Sequence, residues 1–156
     1  MISNAAYLKD IFDQTMALGD KAISSDFTVV IEGHEGVSVL FKQFPTPILS
    51  SKGEIEVPGP MGTITFQPQQ VGTGLQGPVA MHETKKSHVR KMNDAILANG
   101  GRFNARVYEG TPENNTGSYR IKKAFFVWDQ PDRDSENRTQ VVTLSGTVFY
   151  HYHGEE

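Results

Sequence analysis

The chain has 156 residues, a formal net charge of −3, 15 glycines, 8 prolines and no cysteine. That length predicts one domain able to bury a core without staples, and the lack of cysteine excludes disulfides and thiolate metal sites. Basic and acidic residues are interspersed, which argues against a dedicated nucleic-acid binder; no apolar run approaches the roughly 20 residues of a membrane span, and no basic-then-apolar leader opens the chain.

Asn4 to Leu18 reads as a first helix, with Asn4 as cap, Gly19 as stop, and Leu8, Ile11, Phe12 and Thr15 on one face. That face must dock, either on its own domain or on a neighbouring subunit. Phe27–Gly33 and Val37–Phe44 flank His34-Glu35-Gly36 and are predicted to pair as a β-hairpin. The following segment, FPTPILSSKGEIEVPGPMGTITFQPQ, carries five prolines and is not a central strand along its whole length. Two pieces of it alternate: Ile55 and Val57 against Glu54 and Glu56, then Ile64 and Phe66 against Thr63, Thr65 and Gln67. With Pro58-Gly59-Pro60-Met61-Gly62 as the turn, they predict a projecting hairpin, its contact-forming part placed at residues 45–62.

Leu75–Glu83 is predicted as a strand leading into the one convincing interior helix, Thr84–Asn99. Val89, Met92, Ile96 and Leu97 form its apolar stripe, Thr84 its N-cap and Gly100-Gly101 its stop. Strands follow at Phe103–Glu109, Tyr119–Trp128 and Arg138–His153, separated by the polar turns Thr111–Ser118 and Asp129–Asn137. In the last strand Val142, Leu144, Val148, Tyr150 and Tyr152 share a face. One amphipathic helix among strands has only a sheet to lie on. The fold class expected is therefore mainly β: a small antiparallel β-barrel or sandwich with one flanking α-helix at about 84–98 and a short helix within residues 1–22. The predicted core is Phe27, Val29, Ile31, Leu40, Val89, Met92, Ile96, Phe126, Leu144 and Val148.

Candidate chemistry is sparse. Gly72-Thr73-Gly74-Leu75-Gln76-Gly77 spells G-x-G-x-x-G, but Pro78 and a strand follow where a dinucleotide site needs a helix, so it reads as a loop. His82-Glu83 and His88 are too far apart for a zinc-protease helix, and read as structural or surface residues. Asp132-Arg133-Asp134-Ser135-Glu136 alternates like a calcium loop but has Asn137 where glycine is required, and reads as a solvated loop. His151 and His153 have a chelating spacing with no third ligand indicated. The sequons at Asn114 and Asn137 read as accidental. No catalytic constellation, cofactor or metal site is expected, and no enzyme.

The order of elements resembles the tail tube proteins of contractile-tailed bacteriophages and the related tube protein of type VI secretion. The features that carry it are FTVVIEG, the projecting FPTPILSSKGEIEVPGPMGTITF, the strand-to-helix VAMHETKKSHVRKMNDAI and the closing RTQVVTLSGTVFYHYHGE, roughly residues 20–154. The N-terminal helix departs from the pattern.

The resemblance implies a structural virion protein, assembled in the host cytoplasm, whose stacked hexameric rings form a tube that conducts DNA from the capsid without specific binding. Its partners would be further copies of itself, the tail sheath, the baseplate and the tape-measure protein, with no membrane. Under this reading Pro47, Ile48, Leu49, Val57, Pro58 and Met61 contact neighbouring subunits, and Glu54, Glu56, Thr63 and Thr65 face the lumen. The rivals are a baseplate or tube-initiator ring protein of the same fold and a monomeric ligand-binding β-barrel.

Overall fold

The computed structural model describes residues 4–155. In chain order it holds α1 (Ala5–Ala17), β1 (Thr28–Ile31), a 3₁₀ turn (Glu35–Leu40), β2 (Phe41–Gln43), β3 (Ser50–Ser51) and β4 (Glu54–Pro58). Then come β5 (Ile64–Pro68), β6 (Val71–Gly72), β7 (Gly74–His82), α2 (His88–Ala98), β8 (Phe103–Gly110), β9 (Asn115–Trp128) and β10 (Thr143–His151). Six strands form one antiparallel sheet in the order β1-β8-β9-β10-β7-β2, curled into a half-barrel. The mainly β architecture with short helices is the one expected.

Alternation sets the inner face of this sheet. Val29 and Ile31 of β1, Phe103, Ala105 and Val107 of β8, and Leu144, Val148 and Tyr150 of β10 are buried, each two or four residues from the next. Val89, Met92 and Ile96 of α2 are buried in the same cluster as Ile31, Met81, Ile121 and Val148. Each such side chain contributes about 1.5–3 kcal/mol on leaving water. Of the expected core, Phe27, Leu40 and Phe126 are only half-buried, and the other seven are buried. Gly146 marks the closest strand approach: a Cβ there would lie 2.1 Å from the Val127 carbonyl oxygen.

Three local expectations are corrected. The interior helix starts at His88 rather than Thr84, because Thr84–Ser87 is a turn closed by the Ser87 N–H donating to the Thr84 carbonyl (3.0 Å). Leu97 is exposed and leaves the stripe, since it lies about 80° round the helix from Val89 at 100° per residue. The predicted hairpin of Phe27–Gly33 with Val37–Phe44 does not form. Residues 35–40 are a 3₁₀ turn, β1 pairs with β8, and β2 pairs with β7. Val37 and Leu40 are three apart, the repeat of a 3₁₀ turn, so both pack against the core from it.

The ends of α2 are well held. Glu83 Oε1 accepts from the Thr84 and Val89 amides (2.9 and 3.1 Å), and Oε2 accepts from the Arg90 amide (3.1 Å). At the other end the Gly101 amide donates back to the Ile96 carbonyl (2.8 Å), with both glycines at positive φ. The last strand runs Thr143–His151, shorter than the predicted Arg138–His153. Beyond it, Glu155 ties the chain back to β9: its carbonyl accepts from the Arg120 amide (3.0 Å) and its carboxylate from Lys122 Nζ (2.7 Å).

Candidate assembly surfaces

The proline-interrupted segment forms a single ribbon. Ser50 pairs with Gly72 and Ser51 with Val71; Glu54 pairs with Pro68 and Pro58 with Ile64. Between these ladders the Lys52 amide donates to the Gln70 carbonyl (3.0 Å) and the Gln69 amide to the Gly53 carbonyl (2.9 Å). One register therefore runs through arms 50–58 and 64–72. At roughly 3.3 Å per residue the ribbon is about 30 Å long. Its tip is tied by the Gly59 amide donating to the Thr63 carbonyl (2.6 Å), with Met61 in the left-handed region beside it.

The register reassigns the faces. In an antiparallel ladder, residues directly opposite share a face. Glu56 is opposite Phe66 and Glu54 opposite Pro68, whereas Val57 is opposite Thr65 and Ile55 opposite Gln67. Glu54 and Glu56 thus share a face with Ile64 and Phe66, and Thr65 lies on the other face with Ile55 and Val57. The expectation that Glu54, Glu56, Thr63 and Thr65 form one polar face is corrected. Alternation holds within each arm, but the five-residue loop 59–63 sets which arm face meets which.

Of the residues expected to contact neighbours, Pro47 is fully buried in its own chain and is withdrawn from that role. Its neighbour Pro45 lies against Gly77, where a Cβ would come within 2.6 Å of the proline ring. Ile48, Leu49, Val57, Pro58 and Met61 are exposed, Met61 fully so at the tip. The ribbon's large apolar side chains remain in water on both faces: Ile55 and Val57 are 41% and 40% exposed, Ile64 and Phe66 54% and 68%.

The sheet also has two open edges, β1 and β2. Its non-core face carries Phe125 stacked on Phe149 at 5.1 Å, with the Arg102 guanidinium 5.7 Å from the Phe125 ring. α1 completes the exposed set. Asn4 caps it, its Oδ1 accepting from the Tyr7 amide (2.7 Å), yet none of its residues is buried.

The residues weighed for chemistry fall into structural roles. The Gly74–Gly77 part of the glycine motif lies inside β7, with no helix following it directly. His82 Nδ1 sits 3.4 Å from Thr143 Oγ1, and His88 Nδ1 bonds to Thr84 Oγ1. His151 Nδ1 faces the Lys122 carbonyl at 3.2 Å, while His153 is exposed. Among the described residues, no group of three His, Asp or Glu side chains is placed to share a metal ion. The role of Glu83 as the cap of α2 had no sequence signal of the usual kind, because it sits six residues before Val89 and reaches over an intervening turn.

A curled antiparallel half-barrel with a flanking helix and a projecting ribbon is a tail-tube-like fold. The chain is similar to a chain of the PVC sheath–tube complex of an extracellular contractile injection system, at 15% identity and TM-score 0.55, over 88% of this chain and 92% of that one. It is similar to a chain of the anti-feeding prophage baseplate, at 16% identity and TM-score 0.58, over 85% and 93%. It is also similar to a chain of the same prophage's tube-terminating cap, at 16% identity and TM-score 0.53, over 88% and 95%. No protein-family model and no curated protein matches the chain. At such identities the likeness is one of fold, and at that level the resemblance drawn from element order holds.

Proposed function

We propose that this chain is the tube subunit of a contractile tail, forming hexameric rings that stack into a conduit for DNA inside a sheath. The observation that carries the reading is the ribbon: a two-stranded hairpin is marginal by itself in water, and this one leaves apolar side chains exposed on both faces of a sheet with open edges. Neighbouring copies would cover one of these faces and close the edges. The likeness to tube, baseplate and cap chains supports a structural, non-enzymatic role in such a particle. Sheath, baseplate and tape-measure proteins are the partners this role requires.

Magnitudes choose between the ribbon's faces. The Ile55, Val57, Thr65, Gln67 face carries no charge, so it can be buried between copies without desolvating an ion. Burying Glu54 and Glu56 instead would cost several kcal/mol per carboxylate, more than the roughly 1.5–3 kcal/mol lost by leaving each of Ile64 and Phe66 wet. Glu54 and Glu56 therefore face the lumen, and Val57, Pro58, Met61, Ile48 and Leu49 meet neighbours. Thr65 moves to the contact face, and Thr63 belongs to the tip. Repeated around each ring, the carboxylates repel DNA and keep it from being held.

Negative-stain electron microscopy of the purified chain tests the assembly: tubes support the subunit role. Replacing residues 52–70, both arms of the ribbon, by a short Gly-Ser turn keeps the buried Pro47 and should leave the domain folded and abolish tubes; normal tubes from that variant refute the contact role of the ribbon. A Glu54→Lys, Glu56→Lys double variant should form tubes that retain DNA at low salt; intact tubes without retention refute the lumen assignment. A second reading, a single-ring baseplate or cap protein, is favoured by the equal likeness to those chains, and rings that never stack would select it.

A further inference from the structure

Two apolar features among the described residues complement each other. The first is α1. At 100° per residue, Tyr7, Leu8, Ile11, Phe12, Thr15 and Leu18 fall within one stripe, and every one of them is exposed. The second is a cleft of about 560 Å³ between the 3₁₀ turn and α2, walled by Val37, Val39, Leu40 and Met92. Val39 projects from its wall 84% exposed.

Their charges are opposite. α1 carries Asp10 and Asp13 against Lys9 alone, and the Asp20-Lys21 pair that follows it is neutral. The residues lining the cleft include Lys91, His34 and His88 and no carboxylate. An amphipathic helix of net negative charge and an apolar cleft with a lysine on its rim are the two halves of a helix-in-groove contact. In the single chain they do not meet: α1 buries no residue and contributes none to the cleft. The ten residues between α1 and β1 span at most about 33–36 Å when extended, which gives the helix reach to an adjacent copy.

We propose that α1 of one copy docks in the cleft between the 3₁₀ turn and α2 of the next copy, as a donated clasp between subunits. The contact deepens the ring-and-tube reading, which it presupposes only in needing a second copy. It covers the apolar stripe, fills the cleft and brings Asp10, on the flank of the stripe beside Tyr7, towards Lys91. It also gives the chain an intersubunit link separate from the sheet edges and the ribbon.

The chain has no cysteine, so introduced ones are unique. A chain with Thr15→Cys carrying one affinity tag is mixed with a chain with Val39→Cys carrying another, allowed to assemble, and treated with a short bismaleimide. A product bearing both tags is expected, and its absence overturns the clasp. A Thr15→Cys, Val39→Cys chain that links only within itself, or a Thr15→Cys chain that links only to an added sheath protein, overturns it as well. Leu8→Asp with Ile11→Asp should reduce the cross-link at least tenfold and leave the melting temperature unchanged, because no α1 residue is in the core. Asp10→Lys should weaken the link several-fold, and Lys91→Glu should restore part of it, whereas Asp13→Lys, on the far side of α1, should change it little. Tubes that form without the two-tag product overturn the clasp and leave the tube reading standing; the two-tag product without tubes supports the clasp and counts against the tube.

Discussion

Replacing Glu83 by alanine should destabilise the domain through one helix end. Ser87 occupies the N-cap position of α2 at φ 58° and offers no side-chain hydrogen bond, so Glu83 does the capping from outside the helix. Its carboxylate accepts from the Val89 and Arg90 amides, two donors that the helix itself leaves unpaired. Val89 is fully buried, which limits the access of replacement water to its amide. Losing a cap costs about 0.5–2 kcal/mol, and losing a negative charge at a helix N-terminus about 0.3–1 kcal/mol. The expected total is about 1–3 kcal/mol, or about 2–12 °C of melting temperature at roughly 2–4 °C per kcal/mol for a domain of this size. Glu83→Gln keeps one acceptor and loses the charge, so it should fall between the parent and Glu83→Ala. Urea unfolding followed by circular dichroism, with an unchanged slope, measures the series. The gap between Glu and Gln should narrow in high salt, since the helix-dipole part is screened. A Glu83→Ala variant within about 0.3 kcal/mol of the parent would refute the capping argument.

Met92→Asp should cost about 3–7 kcal/mol, combining a lost core side chain with an unpaired buried carboxyl, because no buried polar residue is near to meet it among the described residues; Met92→Leu, measured beside it by thermal melting, should cost under about 1.5 kcal/mol. Gly146→Ala should destabilise by about 1–3 kcal/mol as β9 and β10 are forced apart at the Val127 carbonyl, and an unchanged urea midpoint would show that the strands have room. The hydrogen bond from Lys122 holds the Glu155 carboxyl below the usual carboxylate range. A lowered folded-state value means that its contribution is present above the unfolded-state value and is lost as pH falls through the lowered one. The protection factor of the Arg120 amide, its exchange rate corrected for the intrinsic pH dependence of amide exchange, should therefore fall on acidification in the parent, and a Glu155→Gln variant should show little of that change.

Much of this fold was legible because its periodicities are local. Val89, Met92 and Ile96 mark one face of α2 whatever they pack on, and Leu144, Val148 and Tyr150 mark one face of β10. The tip sequence Pro58-Gly59-Pro60-Met61-Gly62 announced a turn. Pairing between distant segments was less legible. Val37 to Phe41 alternates like a strand, yet Val37 and Leu40 also fit a 3₁₀ spacing, and only the sheet decides between them. The assembly surfaces suffered from the same limit. Alternation located Glu54, Glu56, Thr63 and Thr65 on faces of their own arms, while the register across the loop divided them. Pro47 is buried beside Pro45, which lies against Gly77 of β7, a meeting more than thirty residues along the chain that is invisible to any local pattern.

The place of β10 in the sheet carries a consequence for the order of events in the cell. It is the last strand of the described residues, yet it stands between β9 and β7 and is hydrogen-bonded to both. Until Thr143–His151 has been synthesised, β1-β8-β9 and β7-β2 are two fragments with no common ladder. Long-range strand pairing of this kind is slow, and a ribosome adds about 5–20 residues per second. A nascent chain therefore spends most of its synthesis with the two edge strands, β1 and β2, in separate fragments, and the two edges take up a fixed relation to each other only once β10 has joined both.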